Sequence, residues 1–163
     1  MGSLPFTASI AIVLALVLYD LGVFSERRTG RLRWRHALLF WGSLLSNIAG
    51  VFLLIQAACD MGQEGPSPMH VLISVITIAV SAFHAIWATA ALAFRRKDSQ
   101  SMLHQLSILI WLIWLIPYLA GAFMDLPGMH LEGIPSFALS TMLVLVLAVL
   151  LHPTHLHDQE QNA

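Results

Sequence analysis

The sequence predicts an all-α integral membrane protein: a four-helix up-down transmembrane bundle with a peripheral fifth transmembrane helix. Of the 163 residues, 58% are hydrophobic and 10% are charged, and the mean hydropathy is +0.77. These values lie well outside the composition of an ordinary soluble domain. Five long apolar runs follow one another with short connections between them. All eight lysines and arginines fall within two of those connections.

The apolar runs cover about residues 6–24, 36–58, 70–94, 101–124 and 136–151. A run of roughly 20 apolar residues spans the hydrocarbon core of a bilayer, whereas the strands of a membrane barrel are shorter and alternate in polarity. The fifth run is the shortest and has no polar stripe, so we expect it at the periphery. Because the connections are too short to hold a soluble domain, residues 1–163 are predicted to form a single polytopic membrane domain.

The basic residues predict the orientation of the bundle. They occupy the connection between the first two runs and the connection between the third and fourth runs, and both are therefore expected on the cytoplasmic side: Arg27, Arg28, Arg31, Arg33, Arg35, Arg95, Arg96 and Lys97. The N-terminus is then outside and the C-terminus is cytoplasmic. The net charge of −1 offers no basic face for phosphates, so nucleic-acid binding is not expected.

His84 lies near the middle of the third run. Among the histidines, it is the one whose depth in the membrane is hardest to explain without a function. It precedes the second basic connection by eleven residues, which places it roughly 16 Å inside the membrane. An ionisable side chain at such depth is costly and usually marks a functional site. His70 lies fourteen residues earlier and about 40° around the helix. The two histidines therefore share one polar stripe with Ser74, Thr77 and Ser81.

Further polar groups are predicted near the cytoplasmic end of the bundle. His104 and Asp20 each lie roughly 7 Å inside the boundary, and His36 lies at the boundary itself. Asp20 either reaches the interface or an arginine, or holds a ligand imidazole through its second N–H. The face of the fourth run that carries His104 continues through Ser107, Trp111, Trp114 and Tyr118. Asp20, Trp111 and Tyr118 are the residues expected to surround the ligands.

Histidines on facing transmembrane helices ligate haem, relay protons or bind a transition metal. A haem b suits this chain because it needs neutral imidazoles from two helices and an apolar lining. We rank the candidate ligands His84, His104, His36 and His70, in that order, with His84 and His104 as the leading axial pair for the iron.

A second haem would lie at the level of His70 and would need an unusual ligand, such as Met124 or His130. One haem is therefore expected, and a second is left open. The single cysteine, Cys59, allows no internal disulfide and no multi-thiolate metal site. The tail histidines form a short cluster that is expected to be solvated rather than metal-bound: His152, His155 and His157.

Three segments resemble the signature regions of the HsmA family, small bacterial membrane proteins associated with haem binding and protection from redox stress: LYDLGVFSERRTGRLRWRH, HVLISVITIAVSAFHAIWAT and LHQLSILIWLIWLIPYLAG. The resemblance covers about residues 8–124. It implies a haem-binding protein of the bacterial cytoplasmic membrane, with histidines of the family pattern at His36, His70, His84 and His104. The chain departs from the pattern at Asp20, at SNIAG in the second run and in its fifth run.

Two functions remain open from the sequence. The first is a cytochrome b-like protein that holds haem for electron transfer or for protection from redox stress, with a redox partner or a second copy as its protein partner. The second is a cofactor-free small transporter or assembly partner, in which the polar histidine stripe carries protons or joins the helices. No segment marks a substrate site, so an electron carrier or haem-binding protein is favoured over an enzyme.

Overall fold

The computed structural model describes residues 3–60, 62, 66–94, 97–125 and 131–151. Within these residues the chain forms five α-helices, each long and apolar enough to span a membrane. Their bounds are α1 Ser3–Thr29, α2 Trp34–Asp60, α3 Pro68–Ala93, α4 Lys97–Asp125 and α5 Gly133–Leu151.

Helices α1 to α4 form a four-helix bundle in which consecutive helices are neighbours. Helix α1 packs against α2, α2 against α3, and α3 against α4, and contacts between α1 and α4 close the ring. The pairs α1/α3 and α2/α4 therefore face each other across diagonals. Helix α5 packs against α4. This arrangement confirms the fold class, and the direction in which the bundle crosses the membrane stays a prediction.

The helices extend beyond the apolar runs that predicted them. Helix α1 continues to Thr29 and includes basic residues in its last turn. The next residue is Gly30, whose φ of 61° is the left-handed conformation that commonly terminates a helix. Helix α3 begins after Ser67, whose hydroxyl accepts a hydrogen bond from the His70 backbone N–H at 3.2 Å. Pro68, at the first position of α3, needs no N–H partner there.

Helix α5 corrects one expectation. Its 19 residues include a buried stripe of Ser136, Ser140 and Val144, although the sequence had indicated no polar stripe. The Ser136 and Ser140 hydroxyls donate to the carbonyl oxygens of Leu131 and Ser136, at 2.9 and 2.8 Å. Because these donors are satisfied within the segment, the small side chains can pack closely against α4.

Glycines set the close approach of α1 and α2. A Cβ atom added at Gly50 would lie 2.6 Å from the Ile12 side chain, and one added at Gly22 would lie 2.6 Å from the Phe40 ring. Between these two contacts, the Ser43 hydroxyl donates to the Ala15 carbonyl oxygen at 2.7 Å. The close packing of α1 against α2 therefore requires glycine, which has no side chain, at both positions.

Gly22→Ala is expected to destabilise the bundle by about 1–3 kcal/mol, the usual cost of overpacking a filled core. The Phe40 ring is fully buried and cannot move aside freely. Thermal unfolding in detergent would measure the change. Gly42→Ala is the matched control, because its Cβ would meet only the Cδ1 atom at the end of the Leu18 side chain, at 3.3 Å. Equal unfolding midpoints for the two variants would contradict the packing described for Phe40.

Candidate functional site

His84 lies in a cluster of four aromatic rings, one from each helix of the bundle, here called the four-ring cluster. Tyr19 comes from α1, Phe40 from α2, His84 from α3 and Trp114 from α4, and all four are fully buried. The His84 ring stacks on Phe40 with centroids 4.2 Å apart and meets Tyr19 edge-on at 5.5 Å. Tyr19 in turn lies 4.3 Å from Trp114. The histidine predicted at the centre of the membrane is therefore at the centre of the bundle.

The two ring nitrogens of His84 have different surroundings. Nδ1 lies 2.7 Å from the Tyr19 hydroxyl oxygen, across the α1/α3 diagonal. Nε2 is buried and has no hydrogen-bond partner among the described residues. When Nδ1 carries the ring proton and donates a hydrogen bond to the Tyr19 hydroxyl oxygen, the lone pair of Nε2 is left unpaired. A histidine oriented through one nitrogen, with the other available, is typical of an imidazole that ligates a metal.

His104 of α4 is also held at Nδ1 by a residue of α1, but its side chain is 33% exposed. Its Nδ1 lies 2.5 Å from Oε1 of Glu26, a carboxylate that is fully buried. Arg27 donates from Nη1 to the His104 carbonyl oxygen at 2.9 Å, which joins the same two helices. The leading pair of candidate ligands, His84 and His104, is therefore held by two side chains of α1, namely Tyr19 and Glu26.

Several buried polar atoms of the described residues have no hydrogen-bond partner. Over the described part of the chain, five buried side-chain polar atoms lack a partner: Nε2 of His84, Nε1 of Trp114, Oγ of Ser107, Oε2 of Glu26 and Nδ2 of Asn47. The first four belong to α1, α3 and α4. Ser107 and Trp114 share with His104 one face of α4. Buried polar groups are usually paired, so these atoms are candidates for contact with a group that the described residues do not supply.

His36 has a structural role at the start of α2. The imidazole is buried, the Arg33 backbone N–H donates to Nδ1 at 3.2 Å, and Arg35 Nε lies 3.1 Å from Nε2. Arg33 immediately precedes the helix and His36 is its third residue, so the imidazole reaches back to the cap position as a side chain does in a capping box. A neutral imidazole has only one acceptor nitrogen, and the helix cap competes for it with any iron.

His70 lies at the opposite end of the bundle. It lines a cleft between α2 and α3 whose wall also includes Met124 of α4, so the two side chains considered for a second haem do share one space. His130 lies outside the described residues, as do the tail histidines His152, His155 and His157. Cys59 is exposed. The structure thus separates His70 from the His84 and His104 region.

The three residues expected around the ligands have partners of their own. The Trp111 indole donates from Nε1 to Asp20 Oδ1 at 2.7 Å, so Asp20 holds an indole. The Tyr118 hydroxyl donates to the Ile12 carbonyl oxygen at 2.9 Å, and its ring stacks on Trp114 with centroids 4.7 Å apart. The carboxylate that orients an imidazole is Glu26, which the sequence analysis did not single out.

Glu26 and Tyr19 could have been found from spacing. Buried residues of α1 recur at intervals of three, four and seven positions: Ala8, Ala15, Tyr19, Val23 and Glu26. This is the pattern of a helix face that points into a bundle. Glu26 stands directly before two arginines, and a charged side chain in that place is typical of a boundary position. The stripe instead carries it into the interior.

Two further observations concern possible metal-binding groups and similarity to known proteins. Among the residues described, no group of three or more His, Cys, Asp or Glu side chains is placed to hold a metal ion. Comparisons with protein-family models, curated proteins and solved structures found no match to this chain.

Proposed function

We propose that the protein is a cytochrome b-like integral membrane protein that holds one haem b, for electron transfer or for protection from redox stress. The observation that carries the proposal is His84: its Nδ1 is held by Tyr19, and its buried Nε2 has no partner among the described residues. The resemblance of about residues 8–124 to the HsmA family supports the same cofactor and a bacterial cytoplasmic membrane.

The chemistry of the donor atoms in this region fits haem iron, whereas the closed packing around His84 must open to admit it. An imidazole nitrogen without a partner, surrounded by apolar and aromatic side chains, is the kind of ligand that haem iron accepts. When bound, haem supplies reversible one-electron chemistry. The protein's own part is to orient the imidazole through Tyr19 and to exclude water with the buried rings of Phe40 and Trp114.

His104 is the proposed second ligand. It belongs to α4, the neighbour of α3, and the Glu26 carboxylate that holds its Nδ1 would raise the basicity of the other nitrogen. His36 takes third place because its ring nitrogens face donors from Arg33 and Arg35. These contacts favour His104 over His36, and the full order of the candidate ligands stays a prediction.

Single alanine variants test the axial pair. His104→Ala is expected to convert a six-coordinate low-spin haem into a five-coordinate high-spin form, because only one protein ligand remains. His36→Ala should retain the low-spin spectrum, and it is the matched control at the same end of the bundle. Absorbance and electron paramagnetic resonance spectra of the purified variants provide the measurement. A high-spin His36→Ala protein beside a low-spin His104→Ala protein would assign His36 to the iron instead.

A second candidate function is a cofactor-free transporter or assembly partner. The close packing of the four-ring cluster favours it, because iron can reach His84 Nε2 only if neighbouring rings or helices move apart. A proton relay along α3 has less support. The Thr77 and Ser81 hydroxyls donate to carbonyl oxygens of their own helix, at 2.8 and 2.9 Å. Absence of a Soret band from folded, haem-supplied protein would favour this second function.

A further inference from the structure

The cleft between α2 and α3 has the size and composition of a small-molecule site. Its volume is about 440 Å³, within the usual range for ligand pockets. Its walls are largely apolar, and the wall residues Ile55, Val71 and Val75 are 42, 45 and 56% exposed on the surfaces of membrane-spanning helices. The cleft is therefore open toward the lipid.

A smaller cavity continues from this cleft toward the middle of α2. It has a volume of about 50 Å³ and shares His70, Ser74, Val51 and Leu54 with the cleft. Asn47 lines it, and we call it the Asn47 cavity. Thr77 of α3 and Tyr118 of α4 also contribute to its wall.

Asn47 is the feature that points to a ligand. Its side chain is 4% exposed, and Nδ2 has no hydrogen-bond partner in the described structure. An unpartnered buried amide costs on the order of 1–3 kcal/mol unless an acceptor reaches it. The cleft is thus an apolar passage from the lipid to a hydrogen-bond donor.

We propose that the cleft and the Asn47 cavity bind a membrane-soluble quinone. A ring oxygen of the quinone accepts a hydrogen bond from Asn47 Nδ2, and the isoprenoid tail leaves the bundle between α2 and α3 past Val71 and Val75. A phospholipid acyl chain fits less well, because its buried end carries no acceptor. The inference concerns binding alone and does not depend on haem at His84.

Photolabelling tests the site in purified full-length protein reconstituted in quinone-free phospholipid nanodiscs. The probe is a ubiquinone analogue with an azide on its ring, and decylubiquinone is the competitor. We expect saturable labelling of peptides around Asn47 and Thr77, lost when decylubiquinone is in excess. Val75→Trp should fill the mouth of the cleft and lower labelling at least tenfold. Ile76→Trp, at a neighbouring position that does not line the cleft, should leave labelling unchanged.

Asn47→Leu distinguishes ligand recognition from a structural role. Because Nδ2 of the amide has no protein partner in the described structure, the apolar isostere should leave the unfolding temperature of the quinone-free protein unchanged or raised. The Kd for decylubiquinone should rise about tenfold, as expected for one lost hydrogen bond. Two photolabelling results would overturn the proposal: labelling that excess decylubiquinone does not reduce, or equal labelling of Val75→Trp and Ile76→Trp. An unchanged Kd for Asn47→Leu would also overturn it, because it would mean that water and not the quinone bonds to the amide. A second haem that depends on His70 and Met124 would also overturn it.

Discussion

Replacing His84 by alanine is expected to lower haem occupancy of the purified protein at least tenfold. The change removes the buried Nε2 that is proposed to bind iron and leaves Tyr19 without its partner across the bundle. The haem-to-protein ratio after production in haem-supplied cells is the measurement. Because alanine also leaves a space beside Phe40, the unfolding temperature must be recorded for the same preparation.

Two controls separate ligation from folding. Ser81→Ala changes a buried residue three positions earlier on α3 and should keep full haem occupancy. Tyr19→Phe removes only the hydroxyl that orients the imidazole, so haem should remain with a shifted reduction potential. A His84→Ala protein with full occupancy and an unchanged spectrum would place the haem elsewhere and leave His84 as a packing residue.

Phe40→Ala is expected to be among the most damaging changes to stability, at about 3–5 kcal/mol. The ring is fully buried, stacks on His84, contacts Tyr19 and lies against Gly22. Helices within a membrane associate through such packing, since lipid offers no hydrophobic driving force between them. Unfolding of the detergent-solubilised protein, followed by circular dichroism, would give the difference in free energy.

Phe52→Ala is the matched control on the same helix. Its side chain is 58% exposed on the outside of the bundle, where lipid can replace the lost contacts. The variant should stay within about 0.5 kcal/mol of the parent protein, as most surface substitutions do. If Phe40→Ala were equally mild, the four-ring cluster would not be the packing centre of the bundle.

Helix number and neighbour relations could be predicted because apolar length and short connections determine them. The ends of the helices could not, because the predicted runs stop where hydropathy falls. Helix α1 continues through Glu26 and the following arginines to Thr29, and hydropathy carries no signal for those turns. Its end is instead determined by Gly30, whose positive φ favours glycine.

The candidate site could be predicted only in part, because the lengths of the apolar runs give the depth of a residue but not the direction of its side chain. The central position of His84 follows from its place within α3, and the structure puts it in the core. Its contact with Tyr19 and the contact between Glu26 and His104 depend on helix rotation and on the vertical offset between helices. Neither quantity follows from run length alone, so Glu26 was missed and Asp20 was considered in its place. The sequence signal that links both contacts is the spacing of seven residues between Tyr19 and Glu26, which places them on one face of α1.

The most direct test of the account is a pyridine haemochrome assay, with protein quantification, on the full-length protein purified from haem-supplied cells. We expect a haem b spectrum with one haem per chain and a Soret band that remains with the folded protein through size-exclusion chromatography. A folded, monodisperse protein without haem, which also takes up none when haemin is added, would contradict the proposed function and leave His84 as a hydrogen-bonded core residue.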